Sequence, residues 1–288
     1  MTQPKSSRIN TLLEIVTFNN QTKLGFLLTS ALVLTGIIVA LGGAKVLPYD
    51  PIQQNVGSAL DPPSPEHLFG TDLLGRDVFS RIAYATPNDL FVAFFVTGFC
   101  LVVGLLLGAI AGYKGGWLDE TLMRCTDVFF AIPSLILAMS IAVILGAGII
   151  NMMYALCMIW WPPYARLARG ETLRVVNYNF VEAAKASGLG TPRILLKHIF
   201  PNILTSIVAY ATVDIGSVVI IYAGLSYLGL SVRPPVPEWG AMVGAYQDYL
   251  ISAPWLPLFP ALFIGLVVVA FSLVGDGLRD AVESARIR

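Results

Sequence analysis

The sequence is poor in charge, histidine and cysteine, and each shortage excludes a class of function. Only 12% of the 288 residues are charged, against roughly a quarter in ordinary globular domains. Two histidines, His67 and His198, are too few for a zinc enzyme or a histidine-based hydrolase, and no H-E-x-x-H motif occurs. The three cysteines show no C-x-x-C spacing, so we expect buried free thiols. Catalytic and metal-binding residues are therefore not predicted anywhere in the chain.

Two other absences concern nucleotides and nucleic acids. No G-x-x-x-x-G-K-[ST] phosphate loop is present, so we expect no ATP to be bound or hydrolysed on this chain and no cofactor to be held by it. The formal net charge is zero, which argues against a nucleic-acid partner.

Long apolar runs dominate what is present. Apolar residues make up 56% of the chain and the mean hydropathy is +0.73, so a lipid bilayer must cover part of the surface. Six runs are long enough to cross about 30 Å of hydrocarbon. They extend from Leu24 to Leu47, Leu90 to Gly112, Leu122 to Gly146, Ile149 to Ala168, Ile203 to Leu230 and Trp255 to Val274. The sequence thus predicts an all-α integral membrane protein of six transmembrane helices.

Lysine and arginine residues are distributed unevenly between the two sides of this arrangement. With the N-terminus inside, fourteen of the eighteen fall in cytoplasmic segments, and the other four are Lys45, Arg76, Arg81 and Arg233. Basic residues are retained on the cytoplasmic side of membrane proteins, so both termini are expected in the cytoplasm. The predicted division is a cytoplasmic segment 1–23, a transmembrane domain 24–276 and a cytoplasmic tail 277–288.

Two external segments, about 48–87 and 231–254, are rich in proline. Proline prevents a continuous helix there, so the segments are either spacers or a docking surface or gate for an external partner. Within the first segment, Asp72, Arg76, Asp77 and Arg81 have near-helical spacing. This spacing predicts either a self-paired external helix or direct contact with a binding protein.

The cytoplasmic connection at about 169–201 contains signals for two short helices. Asn179, followed by Glu182, resembles a helix N-cap with a capping box, and Gly188 or Gly190 is a natural left-handed terminator. Thr191 and Pro192 predict the N-cap and first position of the next helix, and Pro201 permits a bend into the membrane. Spacing alone leaves open whether the first helix lies in lipid headgroups or binds a partner protein.

The same connection resembles the EAA loop of binding-protein-dependent ABC importer permeases. Glu182-Ala183-Ala184, then Gly188, then a block ending in Pro201 follow that pattern, with Phe200 where leucine is usual. The resemblance implies an ABC importer permease fold with a cytoplasmic coupling helix. It gives Glu182, Ala183, Ala184, Gly188 and Pro201 the role of ATPase coupling.

Five further blocks resemble the dipeptide/oligopeptide/nickel permease family, in its second or C-type subunit. They are Leu47 to Pro51, Phe69 to Arg81, Leu225 to Leu230, the pairs Pro234-Pro235 and Trp239-Gly240, and Gly275 to Asp280. The resemblance implies a prokaryotic plasma-membrane importer of peptides, with oligosaccharides or nickel chelates as alternative solutes. Its implied partners are a homologous second permease subunit, two ATPase subunits that bind ATP, and an extracytoplasmic substrate-binding protein.

Asp214 lies about twelve residues into the fifth apolar run, where an unpaired acid costs roughly 2.5–3.5 kcal/mol. It should therefore face a cavity between subunits or a hydrogen-bonding neighbour, and Ser217 shares its helix face. Ile221 lies on that face as well, and Tyr222, the next residue, stands where many relatives of the resembled family carry glutamate. We predict Asp214, Ser217 and Tyr222 as candidate substrate-pathway residues. The rival class, an ion-coupled secondary transporter, would need paired broken helices and more intramembrane acids.

Overall fold

A computed structural model describes residues 20–287, with side chains described to residue 283. The predicted segment 1–23 therefore lies outside the described residues up to residue 19. The regular structure of the described part consists of helices, apart from one isolated β-bridge, and this confirms the predicted all-α class. Its helices are α1 (Asn20–Gly42), α2 (Val78–Lys114), α3 (Gly116–Phe130), α4 (Ser134–Leu145), α5 (Ile149–Val175), α6 (Asn179–Ala186), α7 (Thr191–Tyr227), α8 (Trp239–Tyr246) and α9 (Trp255–Ile287).

Four of these helices are long and apolar enough to cross a membrane. They cover Asn20–Val46, Val78–Lys114, Thr191–Tyr227 and Trp255–Glu283. A bent pair, α3 with α4, could supply a fifth span. The predicted fourth span lies in α5, whose middle holds Trp160, Trp161, Pro162 and Pro163 and which does not meet the same criterion. The count of six is therefore not confirmed.

The third predicted span is wrong as a single straight helix. The axes of α3 and α4 differ by 88°, and the break falls between Phe130 and Ser134. Pro133 explains the break, because its ring clashes with a helical carbonyl and restricts Ile132 before it to extended backbone. Cys100 and Cys157 are buried free thiols, as predicted, whereas Cys125 on α3 is exposed, so the predicted burial is wrong for that residue.

The helices α2 and α5 pack closely along a row of glycines. Gly104, Gly108 and Gly112 recur at every fourth position of α2, on one face. A Cβ atom at Gly108 would overlap the backbone of Ala165, and one at Gly104 would overlap Tyr164. Small residues at such positions let membrane helices approach to backbone contact, where dispersion and weak hydrogen bonds hold them. This contact holds α5 against α2 over most of the length of the glycine row.

The first external segment folds over one end of the bundle without forming the predicted self-paired helix. Thr71 and Asp77 close a turn through the isolated β-bridge, and Gly75 in it has a φ of +64°. Asp72 does pair with Arg76, at 2.7 Å, but inside this turn. Asp77 instead accepts a hydrogen bond from the backbone of Ser80 at the start of α2. Because Asp77 caps the helix there, α2 begins twelve residues before the predicted span.

Both proline-rich segments meet at this same end. The Tyr246 hydroxyl of the second segment donates a 2.8 Å hydrogen bond to Asp72 of the first. At the opposite end, the ammonium group of Lys185 on α6 lies 5.3 Å from the ring centre of Tyr113. The fold therefore separates the two predicted external segments from the predicted coupling helix by the length of the bundle.

Candidate coupling and translocation sites

Helix α6 presents one face to the bundle and the other to solvent. Val181 and Ala184, three positions apart, are buried, and the hydrophobic core that receives them includes Ile194 and Leu195 of α7. Glu182 and Ala183 are exposed. Two of the residues assigned to ATPase coupling thus lie on the free face, whereas Ala184 is on the inner face and anchors the helix. The prediction that Ala184 belongs to the contact surface does not fit this placement.

The two ends of α6 differ in how well the sequence predicts them. Helix α6 begins at Asn179, so Tyr178 is the N-cap and no side chain caps the helix. The predicted capping box is therefore wrong by one position. At the other end, Gly188 has a φ of +77°, as predicted for a left-handed terminator. The Gly188 and Leu189 amides donate to the carbonyls of Lys185 and Ala184, which forms a Schellman motif.

The entry into α7 contains a π turn. Gly190 is the N-cap, one residue before the predicted Thr191, and Pro192 lies within the first turn. Residues Leu195–Ile199 then adopt π geometry. Pro201 has no amide hydrogen and would crowd the carbonyl four residues before it, so the extra residue in the turn relieves that clash. Pro201 therefore permits a continuous α7, with the irregularity placed just before it.

Asp214 is held inside the bundle by two donors on α5. The Trp160 indole N–H and the Tyr164 hydroxyl both donate to the Asp214 Oδ2 atom, each at 2.7 Å. The Oδ1 atom has no donor among the described side chains and backbone groups, and the residue lines a cavity of about 440 Å³. One carboxylate oxygen is thus fixed by the protein, and the other remains free to accept a donor from a solute.

Ser217 shares this cavity, but Tyr222 does not. Ser217 is exposed and lines the same space as Asp214. Tyr222 is 1% exposed and its hydroxyl accepts a 3.0 Å hydrogen bond from Ser231. It therefore faces the external loops. Tyr222 lies eight residues, or about 12 Å of helix, further along α7 and does not line the cavity at Asp214, so its place in the pathway stays a prediction.

The sequence alone does not identify several residues that contribute to this region. Trp160, Tyr164 and Tyr210 surround Asp214, and the spacing of 160 and 164 by one helical turn is the only signal that could have linked the first two. At the external end, the buried Glu238 carboxylate caps α8 by accepting from the Gly240 and Ala241 amides, at 3.0 and 2.8 Å. Burial raises the pKa of Glu238.

Comparisons with known proteins agree with this arrangement. The family described as "Binding-protein-dependent transport system inner membrane component" matches residues 104–288. The chain is 39% identical to the dipeptide transport system permease protein DppC of Alkalihalophilus pseudofirmus over 259 residues, covering 88% of this chain and 85% of that protein. It is 40% identical to the glutathione transport system permease protein GsiD of Pectobacterium atrosepticum, covering 87% and 84%.

A solved structure shows the same fold at low identity. In the inward-facing MetNI methionine ABC transporter, one chain superposes with a TM-score of 0.57 at 19% identity, covering 70% of this chain and 97% of that one. The superposition supports the fold, and the sequence relatives support the family. The chain therefore belongs to the binding-protein-dependent transport system inner membrane components, and it is a permease subunit of an ATP-driven importer.

Proposed function

We propose that this chain forms half of the membrane pathway of a peptide importer. Its relatives are named as dipeptide and glutathione permeases, and both solutes carry a free amine and an amide backbone. A homologous second permease subunit forms the other half of the pathway, and an extracytoplasmic binding protein delivers the solute. Two separate ATPase subunits bind and hydrolyse ATP, so this chain performs no catalysis. Oligosaccharides and nickel chelates are the alternative cargo of the same machinery.

The observation that carries this proposal is the half-buried helix α6. Eight residues lie across one end of the bundle, held by Val181 and Ala184, with Glu182 and Ala183 left exposed. A short helix with a fixed inner face and a free outer face is suited to transmit force from a partner to α7, which follows it directly. We assign the exposed face, with Gly188 at its end, to the ATPase subunits.

The proposed orientation places α6 and both chain termini in the cytoplasm. Transmembrane domain 24–276 then exposes segments 48–87 and 231–254 outside and segment 169–201 inside. Single cysteines at Glu66 and Arg233, both exposed, should react with an impermeant maleimide added to intact cells, in a Cys125→Ser background. A cysteine at Ser187 should react only after the membrane is opened. Labelling of position 187 from outside would invert the topology and contradict the importer assignment.

Asp214 is the second element of the proposed function, as a recognition group for the solute amine. Because both protein donors use Oδ2, an asparagine at this position can keep both hydrogen bonds through its amide oxygen while losing the charge. We expect Asp214→Asn to assemble normally and to lower dipeptide uptake about tenfold, since a hydrogen bond to a charged group contributes about 1.5–3 kcal/mol. Uptake of a radiolabelled dipeptide into proteoliposomes measures this.

The matched control is Ser217→Ala. Ser217 is an uncharged residue that lines the same cavity, so this variant should keep most of the uptake. Unchanged uptake by Asp214→Asn for both a dipeptide and glutathione would remove the residue from the pathway. Loss of the assembled complex would instead show that Asp214 serves only to hold α7 against α5.

A further inference from the structure

Two cavities lie next to each other along α7, and Tyr210 lines both. The first is the cavity of about 440 Å³ at Asp214, called here the mid-membrane cavity. The second, of about 510 Å³, lies between α5, α7 and the C-terminal part of α9. It is called here the cytoplasmic cavity, because the proposed orientation places that part of α9 at the cytoplasmic side. Ser206, Ala209 and Val213 of α7 line the cytoplasmic cavity, together with Asp276 of α9. Either volume suits a small-molecule ligand, for which pockets of about 300–1,000 Å³ are usual.

One polar face of α7 passes through both cavities. Ser206, Tyr210, Asp214 and Ser217 lie at spacings of four, four and three residues. At 3.6 residues per turn, these positions fall within about 80° of one another around the helix axis. A solute that follows this face therefore meets a polar side chain at each turn of the helix.

Tyr210 stands between the cavities and is only weakly held. Its ring packs edge-on against Tyr164, with ring centres 5.2 Å apart and planes at 81°. Its hydroxyl has no hydrogen-bond partner within the described chain, unlike that of Tyr164, which donates to Asp214. Such an aromatic edge contact contributes about 0.5–1.5 kcal/mol, so rotation of the ring costs little.

We propose that Tyr210 is a gate that separates the mid-membrane cavity from the cytoplasmic cavity and that rotates to let an amine-bearing solute pass. The inference rests on the proposed pathway along Asp214 and adds to it the residue that controls exit. The charges favour a cation on both sides of the gate. Asp214 Oδ1 is free above it, and Asp276 below it has no ion-pair partner among the described residues. The other acids of the cytoplasmic cavity, Glu171 and Glu283, are paired with Arg174 and Arg279.

The gate can be tested by the accessibility of cysteines on either side of it. The complete importer complex, in inside-out vesicles, carries Cys125→Ser together with either Ser206→Cys or Ser217→Cys. A cationic, impermeant methanethiosulfonate is added from the cytoplasmic side. We expect fast labelling at position 206 and slow labelling at position 217. Tyr210→Ala should accelerate labelling at 217 about tenfold or more, the factor for an open state populated at about 10% or less, and leave 206 unchanged.

Tyr210→Phe is the matched control, because it keeps the ring and should keep labelling at 217 slow. Tyr210→Val, which also removes the ring, serves as the second variant if the alanine variant assembles poorly, and it should accelerate labelling at 217 in the same way. Equal labelling rates at 217 for the tyrosine, phenylalanine and alanine forms would overturn the gate.

Comparison with an anionic methanethiosulfonate distinguishes the effect of the Tyr210 ring on access from the effect of the Asp214 charge. With Asp214 present, the cationic reagent should label position 217 at least about tenfold faster than the anionic one, because a single-sign cleft concentrates counter-ions. Asp214→Asn should bring the two rates together, whereas Tyr210→Ala should raise both. A gate effect without a charge effect would support Tyr210 and contradict amine recognition by Asp214. The reverse result would contradict the gate and leave the proposed pathway standing.

Discussion

Replacing Gly108 by leucine is expected to prevent assembly of the complex, whereas the same change at Gly98 on the same helix is expected to be tolerated. A Cβ at Gly108 would lie 2.9 Å from the Ala168 Cβ and would overlap the carbonyl oxygen of Ala165. The obstacle is largely backbone, so no side-chain rotation relieves it. At Gly98 nothing lies within 4 Å of the added carbon. Both changes remove a helix glycine and add the same apolar side chain, so their difference isolates the packing of α2 against α5.

Overpacking of a tight contact costs about 1–3 kcal/mol and often more, and here the contact positions the central helix. We expect Gly108→Leu to give little monodisperse complex after detergent extraction, measured by size-exclusion chromatography. Gly98→Leu should give the wild-type yield and thermal midpoint. If the Gly108 variant matched wild type in both yield and midpoint, the close contact between α2 and α5 would not be required for assembly.

Sequence signals predict the backbone conformation correctly where neighbouring residues alone determine it. Gly188 or Gly190 is predicted to adopt a left-handed conformation, and Gly188 does so, because the turn itself decides it. The capping box at Asn179 failed by one residue, since several polar residues precede α6 and the helix start depends on how Val181 docks. Helix existence thus follows from the pattern, and the end residues follow from packing.

Hydropathy alone was misleading at the third apolar run. The run from Leu122 to Gly146 has the length and composition of a membrane span but contains Pro133. Pro133 divides it into two helices at 88°. The signal for the break was therefore present in the sequence, as a proline preceded by isoleucine within an apolar run.

The surroundings of Asp214 could be only half predicted. The cost of an acid in the bilayer requires a partner or a cavity, and the structure supplies both. The partners Trp160 and Tyr164 lie 54 and 50 residues away in the chain. No periodicity within α7 identifies them, because the pairing depends on how α5 and α7 cross. Tyr222 contacts Ser231 of the second external segment, which lies 9 residues further along the chain.

Two variants at α6, Gly188→Val and Glu182→Lys, are expected to remove the proposed coupling to the ATPase subunits. Gly188→Val places a β-branched residue at a φ of +77°, where strain costs about 1–3 kcal/mol, and it weakens the Schellman turn that leads into α7. Ser187→Val is the matched control, because the neighbouring residue is equally exposed and has a φ of −77°. Glu182→Lys reverses an exposed charge that has no side-chain partner in the described chain; apart from a small loss at the N-terminus of α6, it should act on contacts made to another subunit. Glu66→Lys, an exposed acid at the external end, controls for the charge reversal.

The measurement that tests this account most directly is uptake of a radiolabelled dipeptide into proteoliposomes, scored beside the ATPase rate that substrate-loaded binding protein stimulates. Gly188→Val and Glu182→Lys should assemble in normal yield, and their uptake should fall by about tenfold or more. Coupling between two sites typically changes an equilibrium by about 5–150-fold, so a loss of this size is expected when the coupling is lost. Their basal ATP hydrolysis should persist without stimulation, and Ser187→Val and Glu66→Lys should behave as wild type. Normal uptake together with normal stimulated hydrolysis in both α6 variants would contradict the claim that this helix couples the permease to its ATPase subunits.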